Sequence, residues 1–335
     1  MLEHGGRLQQ AVVDYSIALD NWLDLSTGIN PKGWPVPSVP ASSWLRLPED
    51  NDGLEQAAGD YYGAEDILVV AGSQAAIQAL PNLYPTQRVG VLNPGYAEHA
   101  HAWRRAGHDV TMVEECAVEE QLPNLDSLVL IHPNNPTGAS FSQQQLLTWH
   151  EQLASHGGCL VVDEAFIDCT NETSMAVYSA RRGLIVLRSL GKFFGLAGAR
   201  VGFVCAQATL LTQLRLLLGP WTVSGPARWV AKRALEDRAW QHATRQGLKD
   251  DGARLDALLT QHKLLPDGGC ALFKWLQLPR AQEIHQRLAQ MGVLTRVFST
   301  PPSIRFGLPA NESQWQRLEE VLANVITDEL FEASL

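Results

Sequence analysis

Cysteine is scarce, and what there is never pairs. The five cysteines fall at positions 116, 159, 169, 205 and 270. No C-x-x-C occurs among them, which speaks against a disulfide framework and against a zinc site. Basic residues are also in deficit: 26 lysines and arginines stand against 36 aspartates and glutamates, a formal net charge of −10. No lysine or arginine run offsets this, so nucleic acid is not an expected partner. Long apolar runs are missing too, none approaching the about 20 residues of a membrane span. The start, Met1-Leu2-Glu3-His4, lacks the basic region and apolar core of a secretory leader. The expectation is a cytoplasmic protein with neither membrane nor nucleic-acid partners and no metal. Internal repeats and low-complexity tracts are likewise absent.

What is present suffices for a large core. With 335 residues, 45% of them hydrophobic, the chain is long enough for two domains. Apolar strand-like runs alternate with helical patterns from about residue 54 to 215, which predicts an α/β domain with a mainly parallel sheet covered on both faces. Pro31 to Pro48 reads as an extended arm. Gly219-Pro220 and Ser224-Gly225-Pro226 punctuate a change to long helices, including Ala227 to Leu259, before a smaller α+β part. The expected division is an arm over 1–48, a large domain over 49–220 and a small domain over 221–335.

The stretch with the most chemistry runs from Ser189-Leu190-Gly191-Lys192 to Arg200. One lysine sits in a glycine-rich, sparsely charged segment, with a hydroxyl three residues before it and an arginine eight after it. A lysine whose ammonium is desolvated or crowded by positive charge becomes a nucleophile and forms an imine with a carbonyl. Pyridoxal 5'-phosphate (PLP) is the obvious carbonyl. Ser189 and Arg200 would serve its phosphate, and its ring nitrogen would need an anion. Asp163 ends the run Cys159 to Val162, which reads as a buried parallel strand, so its carboxylate falls at the carboxyl end, where open α/β sheets place ligands. Taken singly, Lys192 would read as a surface lysine and Asp163 as a helix cap; the combination points to a site.

Two further segments fit the same cofactor. After Ile67-Leu68-Val69-Val70 come Gly72-Ser73-Gln74 and helix-forming residues, a strand, turn and helix whose backbone N–H groups suit a phosphate. Pro133-Asn134-Asn135-Pro136 follows another apolar strand, Ser127 to Ile131. Asparagine hemmed by prolines is not easily absorbed into helix or sheet, which leaves an amide to point at a ligand. Either segment alone also reads as an ordinary turn.

Together, Asn135-Pro136-Thr137-Gly138, Asp163-Glu164-Ala165-Phe166 and Ser189 through Arg200 resemble the large-domain signature of fold-type I PLP enzymes of the class I/II aminotransferase group. The resemblance covers nearly the whole chain. It implies the type I fold, with a seven-stranded large-domain sheet and a small α+β domain. It makes Lys192 the Schiff-base lysine and Asp163 the partner of the pyridine nitrogen, and it gives Asn135 the 3'-oxygen. Gly72, Ser73, Gln74, Ser189 and Arg200 would hold the phosphate. Tyr96 would stack on the ring, although it also reads as a core or rim aromatic. His99 matches a position that supports the aspartate in some relatives. The resemblance further implies Arg305 on a substrate α-carboxylate and Arg296 on a phosphorylated substrate, each of which also reads as a surface arginine. A homodimer is implied, with the N-terminal arm, including His4 and Asn30, helping to close the active site.

Within that group, three features resemble the cobalamin-pathway L-threonine-O-3-phosphate decarboxylases more than the histidinol-phosphate aminotransferases: His4-Gly5-Gly6, the stretch Leu25 to Pro31, and Phe166 at the end of the aspartate motif. The chain departs from the decarboxylase pattern at Arg7 and at Thr27-Gly28, and its segment between Arg296 and Arg305 is short, which implies a divergent branch. The implied reaction is decarboxylation of a phosphorylated amino acid to 1-amino-2-propanol O-2-phosphate. A histidinol-phosphate-type aminotransferase is the alternative, and a non-catalytic PLP-binding protein a remote one. A nicotinamide dehydrogenase fits worse, since Gly195, Gly198 and Gly202 do not give the G-x-G-x-x-G spacing.

Overall fold

A computed structural model of the chain describes residues 5–326. His4 lies outside them. The chain divides into two units. The larger comprises Gly33–Asn135 and Ala139–Thr244; the smaller comprises the described residues up to Lys32, Pro136–Gly138 and those from Arg245 onward.

Seven strands form the sheet of the larger unit: β1 (Ile67–Val70), β2 (Arg88–Asn93), β3 (Asp109–Glu114), β4 (Ser127–Ile131), β5 (Cys159–Asp163), β6 (Leu184–Ser189) and β7 (Gly202–Cys205). Their spatial order is β1-β7-β6-β5-β4-β2-β3. The strands from β3 to β6 pair in parallel, and β7 runs antiparallel to both neighbours, so the sheet is mixed but mostly parallel. Parallel strands are linked by crossovers that cover both faces, and the inner strands β4 and β5 are buried at every residue, whereas the edge strand β3 is mostly exposed. Val129, Val161, Ile185 and Leu187 pack in one core with Ile77, Trp103 and Leu211 from the flanking helices. Their alternating neighbours Leu128, Leu160, Val162 and Val186 are also buried, so the opposite face is covered as well.

Two boundaries differ from those expected. The long helix predicted over Ala227 to Leu259 is two helices, Gly225–Glu236 and Arg238–Gln261, separated at Asp237. The Asp237 carboxylate accepts from the Trp34 indole N–H and from the Trp240 backbone N–H, each at 3.0 Å. That second bond caps the new helix start, which a reading of helical periodicity does not register. The large unit also continues past residue 220. Arg228, on the first of these helices, is buried and donates to Asp52 at 2.7 Å and to Glu55 at 2.8 Å, beside the helix Leu54–Tyr62.

The smaller unit contains β8 (Gly268–Cys270), β9 (Phe273–Gln277), β10 (Val293–Leu294), β11 (Arg296–Ser299) and β12 (Pro302–Gly307). An antiparallel sheet has the order β11-β12-β9-β8, and Leu23–Asp24 pairs in parallel with β10. The expected arm is therefore not one element. Its described residues up to Lys32, with the helix Leu8–Tyr15 and the strand Leu23–Asp24, belong to the small unit, whereas from Gly33 it belongs to the large unit, where Trp34 N–H donates to Phe194 O at 2.8 Å. Among the described residues no helix is long and apolar enough to cross a membrane.

Candidate active site

Strand register assembles one edge of the large sheet. Asp163 lies beside Ile131 on one side and Leu187 on the other. Ser189 lies beside Gly202, which in turn lies beside Val70. The segments that follow β1, β2, β4, β5 and β6 therefore leave the sheet at the same edge. Gly72 to Gln74, Tyr96, Asn135 and Lys192 fall on them, and Asp163 and Ser189 are the last residues of β5 and β6. That is the carboxyl edge, where parallel sheets place ligands.

Asp163 is buried, and both its oxygens are engaged. Oδ1 accepts from the Ala165 backbone N–H at 3.1 Å, and Oδ2 lies 2.9 Å from Nε2 of the equally buried His99. His99 comes from the helix Ala97–Arg105. A buried carboxylate needs such partners to stay in place.

The turn after β1 is built for close approach. Gly72 has φ of +71°, and a Cβ there would stand 2.7 Å from Nη2 of Arg200. Gly202 serves the same turn, since a Cβ on it would lie 2.4 Å from the Ser73 backbone nitrogen. The left-handed φ at Gly72 and the backbone contact at Gly202 each call for glycine. Ser189 Oγ accepts from the Gly191 N–H at 3.1 Å, which orders the start of the lysine loop.

Tyr96 joins this cluster through its hydroxyl, which donates to Gln74 Oε1 at 3.1 Å. Gln74 then donates to Glu98 at 2.9 Å. Burial raises the Tyr96 hydroxyl to about 12, aided by the negative charges of Glu98 and Asp163 and opposed by Arg200. The phenol stays protonated and remains a donor. Lys192 is half-buried, with its Nζ 5.4 Å from the centre of the Phe166 ring, whose apolar face borders the amino group. Of the two asparagines, Asn134 is buried and donates to Pro94 O at 2.8 Å, while Asn135 is half-buried.

In the small unit, Arg305 on β12 is buried, donates to Ser26 O at 2.8 Å and lies 5.0 Å from the centre of the Phe273 ring. Arg296 on β11 is its direct cross-strand partner. Burial and the charge of Arg296 push the Arg305 guanidinium down to about 10. Asn30 is buried, and its Oδ1 accepts from the Lys32 N–H at 2.9 Å.

The family model "Aminotransferase class I and II" matches residues 47–323. The chain belongs to the aminotransferase class I and II family. It is 55% identical to a threonine-phosphate decarboxylase of Pseudomonas aeruginosa, covering 96% of this chain and 97% of that protein. It is 39% identical to one from a Sinorhizobium species, covering 96% and 98%. The solved L-threonine-O-3-phosphate decarboxylase from Porphyromonas gingivalis superposes with a TM-score of 0.77 at 21% identity over 90% of this chain and 98% of that one. A histidinol-phosphate aminotransferase from Sinorhizobium meliloti, solved in complex with pyridoxal-5'-phosphate, gives 0.80 at 18% identity over 97% and 95%. These two structural likenesses speak to the fold.

This family is PLP-dependent, and the donor set fits PLP. A buried, doubly hydrogen-bonded carboxylate suits a pyridinium nitrogen, and an arginine over a glycine turn suits a phosphate.

One part of the region was not read from the sequence. Arg188, one residue before the end of β6 and next to the Leu187 that pairs with Asp163, is fully buried between two carboxylates. It donates to Glu164 Oε2 at 2.7 Å and to Asp168 Oδ1 at 2.5 Å. Burial alone would depress the guanidinium, but Asp168 and Glu164 outweigh it and raise it. The Ser174 hydroxyl also donates to Glu164, and Tyr61 Oη donates to Asp168 at 3.0 Å. The available signal was an arginine inside an otherwise apolar strand, which demands paired carboxylates.

Proposed function

We propose that this chain is a PLP-dependent threonine-phosphate decarboxylase that releases CO2 from L-threonine O-3-phosphate to give 1-amino-2-propanol O-2-phosphate. Its similarity to proteins of that name extends over 96% of its length at 55% identity, which supports the reaction. The observation that carries the substrate is the Arg296–Arg305 pair, two like charges held opposite each other on one sheet face. Such a pair is unfavourable alone and favourable around a ligand with two anionic groups.

Lys192 would hold the cofactor through its amino group, which the Phe166 ring shields on one side. PLP, when bound, supplies an electron sink for the pair released as a bond to Cα breaks. Asp163, braced by His99, would keep a proton on the ring nitrogen. Asn135 would bond the 3'-oxygen, and Tyr96 would cover the ring. Gly72, Ser73, Gln74, Ser189 and Arg200 would anchor the phosphate. Arg305 would fork onto the substrate carboxylate and so decide which Cα bond is presented for cleavage, while Arg296 would take the substrate phosphate. The Lys192 amino group would serve as the acid that returns a proton to Cα. Asn30 would contribute to the substrate side, in the family arrangement of a cytoplasmic homodimer.

The test is a comparison of substrates on the PLP-loaded protein. Turnover of L-threonine O-3-phosphate without any keto acid is the expected result. No turnover there, with amino transfer from histidinol phosphate to 2-oxoglutarate, overturns the proposal.

A further inference from the structure

His132 is the first residue after β4, on the segment that leads to Asn135, and it is buried. A buried imidazole needs a partner at each ring nitrogen, and the partners decide where its proton sits. Nδ1 faces a donor, the Phe141 backbone N–H at 3.3 Å, and is therefore the acceptor. Nε2 faces the Glu172 carboxylate at 2.9 Å and therefore carries the proton. Burial lowers the pKa of His132 against the opposing pull of Glu164 and Glu172, which favours the neutral ring that this tautomer requires.

These contacts join segments of the large unit that all carry cofactor residues. The His132 backbone N–H donates to Asp163 O at 2.9 Å, one step beyond the last paired residues of β4 and β5. The bond from Phe141 spans the turn between residues 132 and 141, and inside it the Asn134 N–H donates to Ala139 O at 2.8 Å. Phe141 is anchored in turn on Trp149 of the helix Gln143–Ala154, with ring centres 4.9 Å apart. The Asn134 side chain ties the same turn to Pro94 O, in the segment that carries Tyr96. Glu172 lies on the loop that follows Phe166, where its own N–H donates to Thr170 Oγ1 at 3.1 Å. A hydrogen bond to a ligand is only as good as the placement of its donor, and the placement of Asn135 depends on this turn.

We propose that His132 is a positioning residue for the cofactor: its Nδ1, kept an acceptor by the Nε2–H bond to Glu172, closes the turn that presents the Asn135 amide to the 3'-oxygen. The inference rests on the role given to Asn135 above.

The experiment is a pH titration of the visible absorbance of the PLP-loaded protein, without substrate. The proteins are the wild type, Asn135→Ala, His132→Phe, His132→Asn, Glu172→Ala and the double variant of Asn135→Ala with His132→Phe, each first checked for a native circular dichroism spectrum. A donor to the 3'-oxygen matters most once the Schiff-base proton that shares its charge has gone, so losing the donor should raise the midpoint. Asn135→Ala should raise it by about one pH unit and His132→Phe by about half a unit, the scale of one hydrogen bond and of its partial loss. His132→Asn, whose carboxamide oxygen can stand where Nδ1 does, should stay near the wild type. Glu172→Ala releases the tautomer and should also raise the midpoint; its side chain is exposed, so it carries the test if the phenylalanine variant does not fold. The double variant should shift no further than Asn135→Ala alone, a non-additivity that general loosening of the fold would not produce. An unchanged midpoint in either His132→Phe or Glu172→Ala, an equal shift in His132→Asn and His132→Phe, or full additivity in the double variant overturns the proposal. An unchanged midpoint in Asn135→Ala removes the role of Asn135 and the inference with it. Failure of the decarboxylase reading is distinct, since no substrate is turned over in these titrations.

Discussion

Nε2 of His99 lies 2.9 Å from Oδ2 of Asp163, and both side chains are buried. The carboxylate is thereby fixed at the end of β5 by a group from a different crossover helix. Replacing Asp163 with asparagine keeps the shape but removes the charge. Asp163→Asn should lower kcat by on the order of 100-fold, the scale of losing one preorganised electrostatic contact. His99→Asn should cost less and should shift the pH dependence of the cofactor absorbance; an unchanged absorbance profile would mean that His99 does not act through Asp163.

Lys192 is the half-buried amine on the loop after β6, with Phe166 against it. Lys192→Ala should remove the visible absorbance of the lysine–cofactor Schiff base and reduce turnover by about a thousandfold. Persistence of that absorbance in the variant would take the role away from Lys192.

Arg305 is buried against Phe273 and Ser26 O. Arg305→Ala should raise KM for the substrate roughly 100-fold, as expected when a buried charge partner is removed. Bound PLP should remain, as read from the absorbance after gel filtration. Loss of the cofactor instead would show that Arg305 serves a different ligand.

The same residue sets a pH dependence. Its guanidinium is depressed to about 10 by burial and by Arg296, so it stays charged through neutral pH and loses its proton as pH rises through that value. An anion binds the charged form, so KM should be flat from about pH 7 to 9 and rise above about pH 10. The sign for stability is opposite: with the folded value below the unfolded one, burying the charge costs stability at neutral pH, and that cost is relieved above pH 10. A KM that falls above pH 10 would contradict the assignment.

Arg188 tests stability rather than chemistry. It is clamped between Glu164 and Asp168 with almost no exposure. Arg188→Ala leaves two buried carboxylates uncompensated and should destabilise the fold by about 3–5 kcal/mol, measured from the denaturant midpoint. Combining it with Glu164→Gln and Asp168→Asn should recover a substantial part. No recovery would mean that the lost packing of the long side chain matters more than the charges.

The large sheet was legible in the sequence because its inner strands are buried on both faces. Uniform runs such as Leu184 to Leu187 and Leu128 to Ile131 announce themselves without periodicity. That the candidate cofactor residues share one edge was legible because segments that end parallel strands lie on one edge, and register brings Asp163, Ser189 and the Gly72 turn to it. What was hidden depends on contacts distant in sequence. The helix break at Asp237 is fixed by Trp34, and the unit boundary beyond residue 220 by Arg228 gripping Asp52 and Glu55. The Arg188 cluster draws its partners from a loop that periodicity leaves blank.

The central claim is that the bond broken at Cα is the one to the carboxylate. It is tested most directly by NMR of L-threonine O-3-phosphate labelled with 13C at the carboxyl carbon, turned over by the PLP-loaded protein in D2O without keto acid. The account predicts that all the label consumed appears as CO2 and bicarbonate, and that each aminopropanol phosphate formed carries one solvent deuteron on its amine-bearing carbon. Label that stays in substrate whose Cα proton has exchanged, or that moves into a 2-oxo acid, would contradict it.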